Sequence, residues 1–178
     1  MDEREPRRDP ARPGEPRSDP AGAGVAIEAA AAADAADVIA LIGRVFEEYG
    51  LVLVPADEVP DLLAFDRHYG APRGAFFVAR EAGVLVGSVG VERRDADTAE
   101  VHRLYLDMRL RGRGIGRALL EAAIAWSRAA GAGHLVLWSD TRFDRAHALY
   151  ERMGFRRTGE REVPDVNQSR EYRYERSA

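Results

Sequence analysis

The sequence has 178 residues, the size of one ordinary domain, and 46% of them are hydrophobic, which is enough for a buried core. A formal net charge of −4 gives no support to nucleic-acid binding. The absence of cysteine excludes disulfides, thiolate metal ligands and a cysteine acyl-enzyme, and the absence of lysine excludes a Walker A phosphate loop and Schiff-base catalysis.

The N-terminal segment differs in composition from the rest of the chain. Residues 1–24 mix proline, glycine and both signs of charge, with almost no large apolar side chain. Burial could not offset the entropy of ordering such a segment, so we predict a disordered tail there and a single domain over residues 25–178. No apolar run has the length of a membrane span or a signal peptide, which favours a cytoplasmic protein with no membrane partner.

The domain is predicted to begin with a strand and an amphipathic helix. Residues 25–30 indicate a short strand, Asp34 stands where a helix N-cap is expected, and Gly50 ends the helix. A second short helix is predicted around residues 60–69. Apolar residues of the first helix recur at i, i+3, i+4 and i+7, the pattern of one buried face. They are Val38, Leu41, Ile42, Val45, Phe46 and Tyr49.

Three antiparallel strands are predicted next, over residues 74–81, 84–93 and 98–107. Ala82 and Gly83 make a tight turn between the first two, typical of a hairpin.

The second half of the chain predicts a parallel pair of strands. A helix over residues 115–130 connects strand 98–107 to the nearly all-apolar strand 134–139, as in a right-handed βαβ unit. The fold class is therefore α/β, a mixed and mostly antiparallel sheet with one parallel pair inside and flanking helices. The remaining predicted elements are a helix over 144–153 and two closing antiparallel strands over 155–162 and 169–176.

A glycine- and arginine-rich turn precedes the helix of the βαβ unit. The segment RLRGRGIGR, residues 109–117, contains four arginines and three glycines. A helix start carries about four N–H groups without partners and a partial positive charge, and glycines let a ligand approach that backbone closely. Arg111, Arg113 and Arg117 add charge and forked donors. The turn therefore predicts an anion site, with phosphate as its usual ligand.

Other interpretations of the turn are less favoured by its context. A dinucleotide fingerprint needs a third glycine where Arg117 stands, and it follows the first strand of a doubly wound sheet rather than an antiparallel strand. An RGG-like nucleic-acid segment fits poorly with the strong helix that follows and with the net acidity. A plain glycine-rich helix start remains an alternative.

The turn resembles the R/Q-x-x-G-x-G/A signature of the GCN5-related N-acetyltransferases, the GNAT superfamily. Residues 111–116, R-G-R-G-I-G, match that signature. Residues 104–131 are similar to the family's acetyl-CoA segment and residues 145–155 to its next block, with matching spacing and element order. The resemblance covers residues 25–178 and implies the GNAT fold, in which the central parallel strands splay apart.

The resemblance implies acetyl-CoA as co-substrate. Its pyrophosphate would be held by the backbone of Arg111, Gly112, Arg113, Gly114, Ile115, Gly116 and Arg117. The pantetheine arm would pair with the backbone near Leu104 and Leu106, and the N–H of Leu106 would polarise the acetyl carbonyl.

The resemblance also places the catalytic groups. Tyr150 falls at the position of the family's general acid, although its spacing equally fits a core aromatic residue. Glu100 and His102 share one face of a strand and are candidates for the base, with a solvated face or a simple ion pair as the alternative. Glu92 is a weaker candidate. Because cysteine is absent, direct attack in a ternary complex is favoured over a ping-pong route.

One position departs from the family pattern. Phe143 stands where many relatives carry an asparagine that hydrogen-bonds the pantetheine or a water. Ser139, Asp140 or Thr141 would substitute, or the contact is missing.

Family acceptors vary widely, and the sequence names only a class, a small-molecule or peptide amine. Candidate acceptor-wall residues, whose carboxylates suit a cationic amine or form a solvated face, are Glu47, Glu48, Asp57, Glu58, Asp61, Glu162, Asp165, Tyr172 and Tyr174. His68, His134 and His147 lack metal-ligand spacing, so no metal is expected.

The resemblance implies an N-acetyltransferase acting on a primary amine. The alternatives are a non-catalytic acyl-CoA-binding sensor or scaffold of the same fold, and an enzyme for a larger acyl donor. Since GNAT proteins are often dimers, a homodimer is also compatible with the resemblance, although no sequence feature specifies its interface.

Overall fold

The computed structural model describes residues 24–178, so the predicted tail lies outside the described part except for Gly24. The sheet has seven strands in the order β1-β2-β3-β4-β5-β7-β6, and among its neighbouring pairs β4 and β5 are parallel while the others are antiparallel. The strands are β1 (Val25–Ala29), β2 (Gly74–Glu81), β3 (Val84–Arg93), β4 (Thr98–Leu106), β5 (His134–Asp140), β6 (Arg156–Glu162) and β7 (Arg170–Ser177). The helices are α1 (Ala35–Glu48), α2 (Pro55–Glu58), α3 (Pro60–Leu63), α4 (Phe65–Tyr69), α5 (Ile115–Ala129) and α6 (Asp144–Arg152).

The predicted fold class is confirmed, with two local differences. The helix predicted around residues 60–69 is divided at Ala64, whose φ of −123° and ψ of 43° leave the helical region, and α2 forms before it. Asp34 does stand at the N-cap of α1, but its side chain makes no capping hydrogen bond. Its carboxylate instead accepts a hydrogen bond from the N–H of Ala31 at 2.9 Å and pairs with Arg80, because that arginine reaches it from β2.

Each face of the sheet is covered by helices, as expected from the apolar spacing. Leu119 and Leu120 of α5 are fully buried in a cluster with residues of the sheet. Leu41 and Ile42 of α1 are fully buried in a second cluster, which includes Phe76. The helices on the two sides thus fix the central strands in place.

The parallel pair at the centre of the sheet is only partly joined. β4 pairs with β5 from Thr98 to Val101, after which the two strands separate, whereas β5 continues to pair with β7 as far as Asp140. The splay implied by the family resemblance is therefore present. It leaves a gap beside the second half of β4.

A β-bulge in β4 lies where this separation begins. On β3, Ser88 and Gly90 are two residues apart, but their partners Tyr105 and His102 on β4 are three apart. The extra residue falls at Arg103, whose φ is +54°. A bulge bends its strand and increases the local twist, which fits its position at the start of the gap. The apolar and charged alternation of β4 contains no signal for it.

Candidate active site

The glycine turn forms a nest of free main-chain donors. Gly112 and Gly114 both have a φ of +82°, and Gly114 is the N-cap of α5. The N–H of Ala118 makes the first hydrogen bond of this helix, to the carbonyl of Gly114 at 3.0 Å. Within the described chain, no hydrogen bond is found for the N–H groups of residues 112–117. Positive φ angles next to a helix start orient such donors toward one anion.

A cavity of about 500 Å³ adjoins this turn, and we call it the donor cavity. Residues near the end of α1, the second half of β4 and α6 complete its wall. Of the predicted cofactor residues, those lining it are Leu104, Leu106, Arg111, Gly112, Gly114, Gly116 and Arg117.

Two predicted cofactor residues do not line the donor cavity. The guanidinium of Arg113 lies 3.0 Å from a carboxylate oxygen of Glu81. Ile115 is fully buried in the core. Ile115 can therefore offer a ligand at the turn only its backbone N–H, whereas Arg113 keeps a solvent-exposed side chain beside Glu81.

The arginine side chains of the turn already have partners. Arg111 lies 2.6 Å from a carboxylate oxygen of Glu48 and donates to the carbonyl of Leu106 at 3.1 and 3.2 Å. Arg117 pairs with Glu121 one helical turn later, at 2.8 Å. Acidic neighbours from α1 and α5 thus reach the guanidinium groups that are predicted to add charge and donors to the turn. Exposed pairs such as that of Arg117 are weak and exchange readily.

A second cavity, of about 330 Å³, is lined by residues 100–105 of β4 and 137–140 of β5, among others, and we call it the acceptor cavity. The two cavities share four residues, which we call the junction. These are Leu104, Tyr105, Phe143 and Ala146. Molecules in the two cavities would meet at the second half of β4, where β5 has separated from it.

Tyr150 lines the acceptor cavity from α6. It is 5% exposed and also belongs to the hydrophobic core, so the two interpretations of this residue are compatible. Burial raises the pKa of its phenol above the ordinary value, while a hydrogen bond with the side chain of Ser139 acts in the opposite direction. The phenol is therefore protonated at neutral pH, as a proton donor must be.

Glu100 and His102 both line the acceptor cavity. Nδ1 of His102 lies 3.8 Å from a carboxylate oxygen of Glu100, and the other oxygen lies 2.8 Å from Nε of Arg94. Burial lowers the pKa of His102, so the ring is neutral near pH 7. Its Nε2 is buried and has no hydrogen-bond partner among residues 24–178. The tautomer with a proton on Nδ1, toward Glu100, leaves Nε2 as a free acceptor.

The weaker base candidate lies away from the cavity. Glu92 is opposite Glu100 in the β3–β4 pair and lies 2.8 Å from Arg73 and 3.2 Å from His68. It does not line either cavity.

His147 packs against the aromatic ring of Tyr174, with Nε2 3.0 Å from the carbonyl oxygen of Asp140.

The acceptor cavity has an acidic wall. Asp57, Glu58 and Asp165 line it as the sequence predicts, and no ion pair is found for them within the described residues. Burial and then the neighbouring charge of Asp165 raise the pKa of Glu58. The local potential therefore favours a cation. Residues expected on this wall that do not line it are Glu47, Glu48, Asp61, Glu162, Tyr172 and Tyr174.

Two carboxylates of this wall were not predicted as acceptor-wall residues, although Asp140 was expected to substitute for the contact missing at Phe143. Asp140, at the end of β5, is held by Arg142 at 2.6 Å, and Glu171, at the start of β7, by Arg161 at 2.6 Å. Both are already neutralised by an arginine. Their positions depend on the pairing of β5 with β7, which places Asp140 opposite Glu171.

Phe143 does not make the hydrogen bond that the family resemblance implies at its position. Its ring packs edge-on against Tyr49 with centroids 4.8 Å apart, and against Tyr105 at 6.3 Å. Of its predicted substitutes, Ser139 and Asp140 line the acceptor cavity. The junction between the cavities is thus aromatic rather than polar.

Neither a membrane span nor a metal cluster is found in the described chain. No helix in residues 24–178 has both the length and the apolarity needed to cross a bilayer. In the same residues, histidine, aspartate and glutamate side chains form no group of three or more that would hold a metal ion.

Comparison with known proteins agrees with the fold. The model of the acetyltransferase (GNAT) family matches residues 42–155. The chain is 37% identical over 99 residues to N-alpha-acetyltransferase RimI of Mycobacterium tuberculosis, and 36% identical over 104 residues to N-acetylaspartate synthetase of Danio rerio. These matches cover 54% and 57% of this chain, but only 61% and 37% of the two relatives.

Solved structures are similar over most of the domain. An acetyltransferase from Streptococcus agalactiae superposes with a TM-score of 0.73 at 25% identity, over 85% of this chain and 98% of that protein. An acetyltransferase from Salmonella typhimurium, solved with its cofactor acetyl-CoA, gives a TM-score of 0.69 at 19% identity, over 86% and 94% of the two chains.

Proposed function

This chain belongs to the GNAT acetyltransferase family, and we propose that it transfers the acetyl group of acetyl-CoA to a primary amine by direct attack in a ternary complex. The proposal depends on one observation. The donor cavity, with its nest of free N–H groups, meets the acidic acceptor cavity at the junction in the splayed sheet.

The donor half of the proposal follows from the backbone. The N–H groups of residues 112–117 fit the diphosphate of acetyl-CoA, since a helix start binds such anions without a charged side chain. The backbone of Leu104 and Leu106 has no β5 partner and is proposed to hold the pantetheine. The N–H of Leu106 is proposed to stabilise the negative charge that develops on the thioester carbonyl oxygen.

The acceptor half of the proposal follows from charge. An ammonium ion is attracted by the unpaired carboxylates of Asp57, Glu58 and Asp165 at the wall of the acceptor cavity. We propose that the acceptor is a small-molecule or peptide amine, cationic in solution. Its ammonium group must lose a proton before the nitrogen can attack.

The catalytic steps are assigned to groups that line the acceptor cavity. We propose that His102 accepts the ammonium proton and that Glu100 stabilises the resulting imidazolium from 3.8 Å. The amine nitrogen then bonds to the carbonyl carbon, the carbon–sulfur bond breaks, and Tyr150 donates its proton to the departing thiolate. The acetylated nitrogen loses its second proton, which restores the Tyr150 phenol through solvent, and His102 releases the first proton to solvent. The products are an N-acetylated amine and CoA.

A second candidate is a non-catalytic module that binds acyl-CoA. Phe143 favours it, because its apolar ring fills a position where relatives provide a hydrogen bond. The two candidate functions can be distinguished by measuring CoA release over a panel of primary amines, with Tyr150→Phe compared to the wild type. Turnover that falls at least tenfold in the variant supports the enzyme. Acetyl-CoA binding without turnover on any amine supports the module.

A further inference from the structure

The bulge in β4 is built on an unfavourable backbone conformation. Arg103 adopts a φ of +54°, in the left-handed region that glycine occupies freely. A residue with a Cβ atom pays roughly 1–2 kcal/mol there, so surrounding contacts must hold it. This strain lies between the two halves of β4, one paired with β5 and one facing the gap.

Two side chains from other elements hold Arg103 directly, and a third holds one of these two. Asp61 of α3 pairs with its guanidinium through both oxygens, and the Nε–Oδ2 distance is 3.1 Å. The hydroxyl of Tyr69 donates to the same carboxylate. On the opposite side, Oγ of Ser88 on β3 donates to the carbonyl of Arg103 at 2.8 Å. Both the side chain and the main chain of the strained residue are therefore fixed.

These contacts are largely shielded from solvent. The Arg103 and Asp61 side chains are 20% and 12% exposed, and Ser88 is fully buried. Burial would raise the pKa of Asp61, but its hydrogen bonds from Arg103 and Tyr69 lower it below the ordinary value. The carboxylate is thus charged at neutral pH, and the pair persists through the range in which the protein would work.

The lack of a side chain at Gly90 leaves room for the ring of Tyr69. A Cβ atom at Gly90 would lie 2.7 Å from Cε1 and 2.9 Å from Cζ of the Tyr69 ring. Gly90 is also the β3 partner of His102, immediately before the bulge. The tyrosine therefore packs directly on the strand that pairs with the bulged segment, and its hydroxyl reaches Asp61.

We propose that Asp61 and Tyr69 are positioning residues, which act through Arg103 to hold the β4 bulge in the conformation that opens the donor gap. This inference rests on the proposed function, because the donor is expected to bind along residues 104–106 directly after the bulge. It assigns a role in positioning the donor to α3 and α4, none of whose residues line either cavity.

Two substitutions of one residue test the inference. Arg103→Ala and Arg103→Gly remove the same contacts and leave Asp61 equally unpaired, but only alanine opposes the positive φ. We expect kcat/KM for acetyl-CoA to fall about tenfold more in Arg103→Ala than in Arg103→Gly. Asp61→Asn should lower kcat/KM as well, and by less than Arg103→Ala, since the amide oxygen still accepts from Tyr69.

Asp34→Asn is the matched structural control. It weakens another half-buried aspartate–arginine pair, with Arg80, and neither residue of that pair lines a cavity. We expect it to lower the melting temperature without changing kcat/KM. Equal losses in Arg103→Ala and Arg103→Gly would overturn the inference, since Arg103 would then act through its side chain on substrate. Wild-type kinetics in both variants, with only a lower melting temperature, would overturn it too.

The proposed function and this inference can fail separately. Calorimetry measures the affinity of the same variants for acetyl-CoA, and it needs no turnover. If the wild type binds acetyl-CoA but acetylates no amine, the proposed function fails. A weaker affinity in Arg103→Ala that Arg103→Gly restores would still support the inference, whereas equal affinities would reject it. A wild type that does not bind acetyl-CoA rejects both.

Discussion

Gly116 provides the sharpest test of the donor cavity. It lies in the first turn of α5 and lines that cavity. A Cβ atom there would lie 3.6 Å from Cδ2 of Leu149 and 3.9 Å from Cδ2 of Leu106, both ordinary contact distances. Alanine is thus accommodated without strain, while a longer side chain must extend into the space between these two lining residues.

Fold stability and ligand binding should therefore change independently at Gly116. Gly116→Ala raises helix propensity by up to about 1 kcal/mol, which corresponds to about 2–4 °C in melting temperature for a chain of this size. Acetyl-CoA binding should be close to wild type. Gly116→Leu adds three further carbons inside the cavity, and we expect the affinity for acetyl-CoA to fall by at least about 100-fold, or about 2.7 kcal/mol.

Calorimetry and thermal unfolding together measure this difference. At roughly 100 times the wild-type Kd, acetyl-CoA adds about 2.7 kcal/mol to the stability of the wild type, and a 100-fold weaker variant retains about 0.4 kcal/mol of that. Gly43→Ala in α1 is the matched control, since its Cβ atom would lie 3.7 Å from Leu53 and it lines neither cavity. A Gly116→Leu variant that folds and binds acetyl-CoA like the wild type would refute the placement of the donor.

Three further outcomes are expected. Gly114→Ala, at a φ of +82°, should lower the melting temperature by about 2–4 °C and weaken acetyl-CoA binding in calorimetry, because the strain disturbs the nest. Glu58→Gln combined with Asp165→Asn should raise KM for a cationic amine severalfold at low salt and less at high salt, with Glu162→Gln as control; an unchanged KM would contradict an acidic acceptor wall. Desolvation lowers the pKa of the half-buried His102, so the unfolded chain binds this proton more readily, and folding stability falls as pH drops below 6.5, the ordinary value for histidine; thermal unfolding from pH 7 to 5 should show a smaller loss in His102→Gln than in wild type.

The elements of this fold were predictable because each leaves a local pattern. The apolar spacing from Val38 to Tyr49 and the glycines of the turn are readable in one dimension. The motif also indicated one wall of the donor cavity, because a helix start can bind anions through its own backbone. These features depend on residues that are neighbours in sequence.

The features that were not predictable depend on distant contacts. The bulge at Arg103 is held by Asp61, which lies 42 residues earlier in the chain. No local sequence pattern predicts either the bulge or this pair. The acidic partners of the turn arginines were unpredictable for the same reason, since Glu48 reaches Arg111 only when α1 packs beside the turn. Charge patterns therefore identified the acidic and basic residues but not which of them pair.

The aromatic junction constrains the order of proton transfers in the proposed reaction. Leu104, Tyr105 and Phe143 offer little solvation to a charged ammonium group. The acceptor must therefore become neutral before its nitrogen reaches the thioester, on the side of the junction where His102 lies. Tyr150 stays protonated because burial raises its pKa, so its proton is still available when the thiolate departs. Burial thus keeps the base neutral and the acid protonated at the same pH, as transfer within one complex requires.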